Sequence, residues 1–375
     1  MKVHPATGIL LFAIAAILML AFAVLIAPFV PPLIDFDQTF YPAIRYTLAG
    51  INPYTADYSY SLTSAAPGQT PPAFFSPFWL LFILFPFGLL PLAVARALWA
   101  LFLIAITLMA INRLQAWGLR GLWPLALTAL PWSLISILYG QVTPLVLLGT
   151  LVSVLAVARE DGDIRGRIAL VSGLLLVGLK PQLGLSIGLP LLLWLVWRGD
   201  RRVVMLSGIG ILLVIVTLII TPPTDIAELA VTLRGLAPHW TSTLGRELHW
   251  LALPAWLAWL IRIFAIAIMI RWAWQTRTLT PSWWSAWLAV TLIITPYTRA
   301  YDGVLLLPLL GQLMARHWPR ALLFVAGIVA YVVVIHGEAG SVVTPLLAWL
   351  LFVPWRRLMT SSTEQRPSPT TLFGD

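Results

Sequence analysis

Thirteen apolar runs occupy most of the chain, at roughly 8–28, 75–90, 94–112, 122–139, 143–158, 168–179, 183–197, 203–220, 251–272, 282–295, 303–315, 320–336 and 341–354. Runs this long and this close together leave too little polar surface for a fold in water. Only 10% of the 375 residues are charged and the mean hydropathy is +0.92, whereas a soluble domain carries about 25% charged residues. The sequence therefore predicts an all-α polytopic membrane protein. Several runs fall short of the ~20 residues that a straight span needs. Short runs broken by proline, such as "LKPQLG", suit helices that line a cavity rather than lipid.

The net charge of +9 reflects topology and not a nucleic-acid partner. Basic residues collect in "REDGDIRGR" (159–167), "RGDRR" (198–202), "RWAWQTR" (271–277), "RHWPR" (316–320) and "WRR" (355–357), which places these stretches in the cytoplasm. The connections 29–74, 221–250 and 295–302 then share the extracytoplasmic face. Both termini read as cytoplasmic, which requires an even number of spans. Thirteen runs do not satisfy that, and the ambiguity lies in 75–139, where Pro131 can split a segment into a re-entrant pair. The expected architecture is a single integral membrane domain over 1–357, followed by a disordered cytoplasmic tail over 358–375. The apolar core of 8–28 is long for a signal peptide and reads as a retained first helix. There is no cysteine, so disulfides and thiolate metal sites are excluded.

The polar stretches between the runs carry the chemistry. "DFDQTFYPAIRYTLAGINPY" (35–54) can form an amphipathic helix from Asp37 to Gly50, with Tyr41, Ile44 and Leu48 on one face. A carboxylate at the N-terminus of that helix is favoured by the dipole. It serves either as a cap on an interfacial helix or as a base facing the membrane surface. The "DFD" pair also has the look of a metal site, but no further acid or histidine stands beside it, and no metal is expected. "YGQVTP" (139–144) places Gln141 at a break between two apolar runs. "LKPQ" (179–182) sets Lys180 between apolar segments, where an intramembrane cation marks a functional site or snorkels to the interface. "TPYTRAYDG" (295–303) gathers Arg299, Tyr301 and Asp302, as a charged site or as an Arg–Asp pair closing a loop. The 221–250 stretch contains His239 and His249, as a lid over an amphiphilic substrate or as a solvated connector.

Taken in order, these stretches resemble the polyprenyl-phosphate-mannose-dependent mannosyltransferases, integral enzymes of the GT-C class. The first-loop pattern of that family is similar at Asp37, Tyr41, Ala43, Leu48, Gly50, Pro53 and Tyr54. "TPPAFFSPFWLLFILFPFGLLPLAVARALW", "GQVTPLVLLG", "GLLLVGLKPQLGL" and "TPYTRAYDGVLLLP" resemble its later elements, so the likeness runs from about 35 to 310. It implies a GT-C-like bundle of about 12 transmembrane helices with extracytoplasmic juxtamembrane helices. It also implies inverting transfer of a hexose, mannose by the family's habit, from a polyprenyl phosphate donor to a lipid or glycan acceptor, with Asp37 as general base. Where other members carry a histidine, this chain has Tyr301 and Asp302, and Asp35 has no counterpart in the pattern.

The chemistry of such a transfer agrees with the residues. A sugar hydroxyl is a weak nucleophile that a carboxylate can deprotonate as the new bond forms. The leaving phosphate needs charge stabilisation, which Lys180 and Arg299 can supply without a metal or other cofactor. Tyr41, Tyr54, Gln141, His239, His249, Tyr301 and Asp302 are the candidate substrate-binding residues. The competing expectations are a transporter or flippase of a lipid-linked substrate, and a non-catalytic membrane assembly protein. A transporter is expected to show an internal repeat, and the sequence has no obvious one.

Overall fold

The computed structural model describes residues 5–54, 76–117, 131–158, 163–220, 256–295, 298–316 and 340–354, with isolated positions at 74, 254 and 319. The candidate lid over 221–250 with His239 and His249, the run 320–336 and the tail 358–375 lie outside the described residues. Among those described, all regular structure is helical, as the apolar runs predict.

Helix α1 (Pro5–Ile26) contains no charged side chain and ends in a short 3-10 turn at Ala27–Phe29. A π-helical turn, Phe36–Phe40, runs directly into α2 (Tyr41–Leu48). Two short-connected helices follow, α3 (Trp79–Gly88) and α4 (Leu92–Arg113). Then come α5 (Pro131–Tyr139), α6 (Thr143–Ala158), α7 (Ile164–Val177), α8 (Pro181–Trp197) and α9 (Arg202–Ile220). The C-terminal part holds α10 (Trp256–Thr276), α11 (Pro281–Ile294), a 3-10 segment Ala300–Leu306, α12 (Leu307–Arg316) and α13 (Gly340–Phe352).

Among the described residues two helical stretches, Leu92–Trp117 and Trp256–Thr276, are long and apolar enough to cross a membrane. The pair α5–α6 counts as a third if taken together, bent by 120° at its break. That bend falls at "YGQVTP", the break read from the sequence. Its pivot is Gly140 at φ +70°, a left-handed conformation that glycine adopts without penalty. A Cβ there would also sit 2.7 Å from the Cβ of Phe36, so the π-helical turn rests directly on the bend. The run 75–90 resolves differently from a full span, since α3 has only 10 residues. Its last glycine, Gly88, lets α2 approach until a Cβ would lie 2.8 Å from the Ile44 side chain.

The centre of the bundle is set by helices apolar on every face, which bury on every face. Every residue over 283–293 of α11 and 143–151 of α6 is buried. The wholly buried stretch 301–306 packs against both. By contrast, α1, α9 and α10 leave large apolar side chains exposed, among them Leu25, Ile211 and Ile263. Such faces suit lipid rather than water. Trp99 anchors the first half: it is fully buried, stacks on Phe36 at 5.4 Å and donates its indole N–H to the Gly140 carbonyl at 2.9 Å. Truncating a buried aromatic of this kind costs about 3–5 kcal/mol.

Candidate functional site

Four distant stretches meet at one polar centre inside the apolar bundle. Lys180 occupies the position before Pro181, where α8 begins. Proline cannot be preceded comfortably by a helical residue, so Lys180 is extended and its side chain leaves the helix axis. Its ammonium lies 2.6 Å from Asp302 Oδ1, with side-chain exposures of 9% and 1%. It also sits 4.4 Å from the centre of the Tyr301 ring. Of the two roles open to Lys180, snorkelling is thus excluded: the side chain points into the bundle.

Asp302 is engaged at both of its carboxylate oxygens. One carboxylate oxygen accepts from Lys180 and from the Thr143 hydroxyl at 2.8 Å. The other accepts the Arg299 backbone N–H at 3.0 Å, while the Asp302 N–H donates to the Arg299 carbonyl at 2.9 Å. The latter pair caps the 3-10 segment from both sides. Asp302 therefore pairs with Lys180 and also accepts the Arg299 backbone N–H. Tyr301 packs on Tyr139 with ring centres 5.4 Å apart.

Asp35 completes the centre. Gln141, buried at the α5–α6 bend, donates its amide to Asp35 Oδ2. The Asp35 carboxylate lies within the electrostatic reach of Lys180, Arg299 and Asp302. Burial pushes its pKa above the usual carboxylate value, against the hydrogen bond from Gln141 and the two cations. A carboxyl moved upward in this way, and still partly accessible, is a stronger proton acceptor than an ordinary aspartate.

Asp37 takes a different partner. Its two oxygens face one guanidinium, with Arg96 Nε at 3.1 Å from Oδ1 and Nη2 at 2.7 Å from Oδ2. Arg96 reaches on to the Val30 carbonyl at 3.4 Å. Asp37 lies in the first turn of its helical segment, as its sequence context suggests. It lies inside the π-helical turn, its N–H already bonded to the Leu33 carbonyl at 2.8 Å. Two residues along a helical turn point to opposite sides, so the acids of "DFD" diverge and do not form a chelating pair. Among the described residues no group of three or more histidines and acids is placed to hold a metal ion.

The remaining candidates flank this centre. Tyr41 donates its hydroxyl to the Leu90 carbonyl at 2.8 Å, and Tyr54 to the Ser76 carbonyl at 2.7 Å. Both therefore fasten the first connection to neighbouring segments. Asn52 ties the same connection to the end of α9, through the Ile220 carbonyl at 3.1 Å. An apolar groove of about 350 Å³ lies elsewhere, between α8 and α9, lined by Leu192, Leu206, Gly210 and Val214 with Ser207 the one polar neighbour. It carries no reactive group.

No family model, no curated protein and no solved structure matches this chain. Sequence reasoning missed Arg96 and Thr143 and assigned nothing to Asp35. Arg96 was open to discovery, because it is the one charge inside the apolar run 94–112 and such charges seek a partner. The choice between Asp35 and Asp37 was not, because it depends on which way a π-helical turn faces.

Proposed function

We propose that this chain is a polytopic membrane glycosyltransferase with a GT-C-like bundle of about 12 transmembrane helices. It moves a hexose, mannose by the resemblance, from a polyprenyl phosphate donor to a lipid or glycan acceptor on the extracytoplasmic face. The observation that carries the proposal is the convergence of Asp35, Gln141, Lys180, Arg299 and Asp302 from four of the stretches that bear the family likeness. A half-buried carboxylate beside two cations matches the needs of the reaction. The carboxylate takes the proton of the acceptor hydroxyl as its oxygen bonds to the anomeric carbon. The bond from that carbon to the phosphate oxygen breaks on the opposite face, and the polyprenyl phosphate leaves with the electron pair and its added negative charge. One such displacement inverts the anomeric centre and needs one essential base.

The base in this reading is Asp35 rather than Asp37. Both oxygens of Asp37 are engaged by Arg96, which makes it a positioning residue for the turn that presents Asp35. Lys180 is engaged by Asp302, so a donor phosphate draws on the Lys180–Arg299 pair as a unit with Asp302 holding the lysine in place. A transport reading draws support from the 120° break between α5 and α6, because broken helices form the binding sites of transporters.

The test is transfer of mannose from polyprenyl-phosphate mannose by the purified chain in detergent, comparing Asp35→Asn with Asp37→Asn. The Asp35 variant should lose about 10²–10⁴-fold in rate, the size of a lost acid–base group, and still bind donor. Full transfer by Asp35→Asn, with loss in Asp37→Asn alone, would return the base to Asp37. No transfer by the unaltered chain, with donor lipid exchanged between leaflets instead, favours the transport reading.

A further inference from the structure

Arg262 stands apart from the polar centre and from every role so far assigned. It lies in α10, a helix long and apolar enough to cross a membrane. Its Nε donates to the carbonyl of Ile293 at 3.3 Å, and its guanidinium carbon lies 5.1 Å from the centre of the Trp259 ring. Ile293 belongs to the last turn of α11, whose final carbonyls lack partners within the helix and attract a cation. The arginine is half-buried, and no described carboxylate forms a salt bridge with it.

The donor count is what makes the position informative. A guanidinium carries five N–H groups in a planar fork, and the Ile293 carbonyl meets one of them. The helix neighbours on that side are apolar and exposed: Trp259, whose ring faces the guanidinium, at 63% and the adjoining Ile263 at 60%. Lipid tails cannot accept hydrogen bonds, and unmet donors in hydrocarbon cost several kcal/mol each. The forked Nη edge therefore needs an anionic acceptor delivered from the bilayer side. A tetrahedral phosphate fits it, since a guanidinium can grip two of its oxygens at once.

Depth agrees with that ligand. Arg262 is six residues past Trp256, the first residue of α10, or about 9 Å along the axis at 1.5 Å per residue. Its guanidinium reaches toward Trp259, one turn nearer the helix end, the behaviour of an arginine and a tryptophan at headgroup level. The end in question is also that of the polar centre. Ile293 is followed by Thr295, whose hydroxyl lies 3.5 Å from that of Ser186 on α8, and then by Arg299 and Asp302. Helix α11 separates the two sites, pinned to α10 by the Trp283 N–H on the Met269 carbonyl at 2.9 Å and to α8 by the Trp287 N–H on the Ser186 carbonyl at 2.9 Å.

We propose that Arg262, with Trp259, forms a lipid-facing site that holds the phosphate of a membrane lipid on the α10 flank of α11. The site does not depend on the transferase reading, and two sources of phosphate share its chemistry: a bulk phospholipid or a polyprenyl monophosphate. The experiment is native mass spectrometry of the full chain in detergent, titrated separately with phosphatidylglycerol, with polyprenyl monophosphate and with the phosphate-free polyprenol. Arg262→Gln should weaken binding of at least one phosphate lipid about tenfold or more, the scale of a lost charge-assisted contact, and leave polyprenol binding unchanged. Weakening toward phosphatidylglycerol alone names a structural lipid, and toward polyprenyl monophosphate alone names a substrate lipid; both uphold the phosphate site. Equal binding of both phosphate lipids by the unaltered chain and the variant overturns it. If Arg262→Gln does not yield folded protein, a photoactivatable phosphatidic acid decides on the unaltered chain: label on the peptide spanning Trp259–Phe264 supports the site, and label absent from that peptide overturns it.

Discussion

The Lys180–Asp302 pair offers the most direct measure of how the polar centre is held together. Both side chains are nearly excluded from solvent, at 9% and 1%, so no large screening discount applies. Asp302→Asn keeps the shape and one acceptor oxygen, for Thr143 or for the Arg299 N–H but not both, since these bond different oxygens, and it strands the lysine charge. Breaking a buried pair from one side costs about 3–5 kcal/mol. Asp302→Ala should cost more, because the acceptor that asparagine keeps is lost as well, at about 1–3 kcal/mol. Lys180→Met should also cost about 3–5 kcal/mol, now leaving the carboxylate uncompensated. The informative variant is the double Lys180→Met/Asp302→Asn, which removes both charges and keeps the acceptor. It should be more stable than either single variant, since a buried ion pair is often replaceable at little net cost. The assay is equilibrium unfolding by SDS titration from mild detergent, followed by helical circular dichroism, arranged as a double-mutant cycle. Additive losses, with the double variant less stable than both singles, would refute the assignment of these two groups as one unit.

Three further outcomes follow from particular contacts. The acid limb of the transfer rate should lie above the ordinary aspartate value of 3.8, because burial raises the Asp35 carboxyl and the base must be ionised to act; the raised pKa also means that this group favours the fold at low pH and that its contribution is lost as pH rises through the folded value. A pH–rate profile checks this, and a limb at or below the ordinary value counts against Asp35. Arg96→Met should destabilise the first connection by about 3–5 kcal/mol through the orphaned Asp37 carboxylate, and Arg96→Met/Asp37→Asn should recover most of it by the same SDS titration. Gly303→Ala should be poorly tolerated, because its Cβ would lie 2.2 Å from the Trp132 ring; overpacking of this kind costs about 1–3 kcal/mol, and unaltered stability would show that α5 can move away freely.

Much of this structure is legible in the apolar runs alone. The run 143–158 coincides with α6, and 203–220 falls one residue inside α9, because uninterrupted apolar stretches between charged or glycine-containing turns leave no other element open. The break at "YGQVTP" was visible for the same reason: Gly140 and Pro144 cannot both sit inside one straight helix. The stretch 303–315 is less faithful. Its first part is a 3-10 segment and not α-helix, since the capping contacts between Arg299 and Asp302 tighten the turn, which apolarity cannot reveal. The candidate site was legible as a set of segments but not as a set of contacts. Lys180, Gln141, Arg299, Tyr301 and Asp302 stand out as polar residues among apolar ones, yet no local pattern says that Lys180 pairs with Asp302 across 122 residues. The divergence of Asp35 and Asp37 depends on a π-helical turn at Phe36–Phe40, a geometry with no clear sequence mark. His239 and His249 remain outside the described residues.

The separation of Lys180 from Asp302 has a consequence for how the protein is made. A ribosome adding about 5–20 residues per second needs about 6–24 s to cover the 122 residues between them. During that interval Lys180 exists while the carboxylate that pairs with it does not. A lysine without that partner keeps its ammonium hydrated, which its four-carbon stem allows. Only after Asp302 emerges can the charge be drawn into the bundle. Thr143 and Gln141 are synthesised earlier and also wait, so the polar centre closes in a single late event instead of accreting helix by helix. A nascent chain stalled before residue 302 therefore carries Lys180 without the carboxylate that pairs with it in the finished fold.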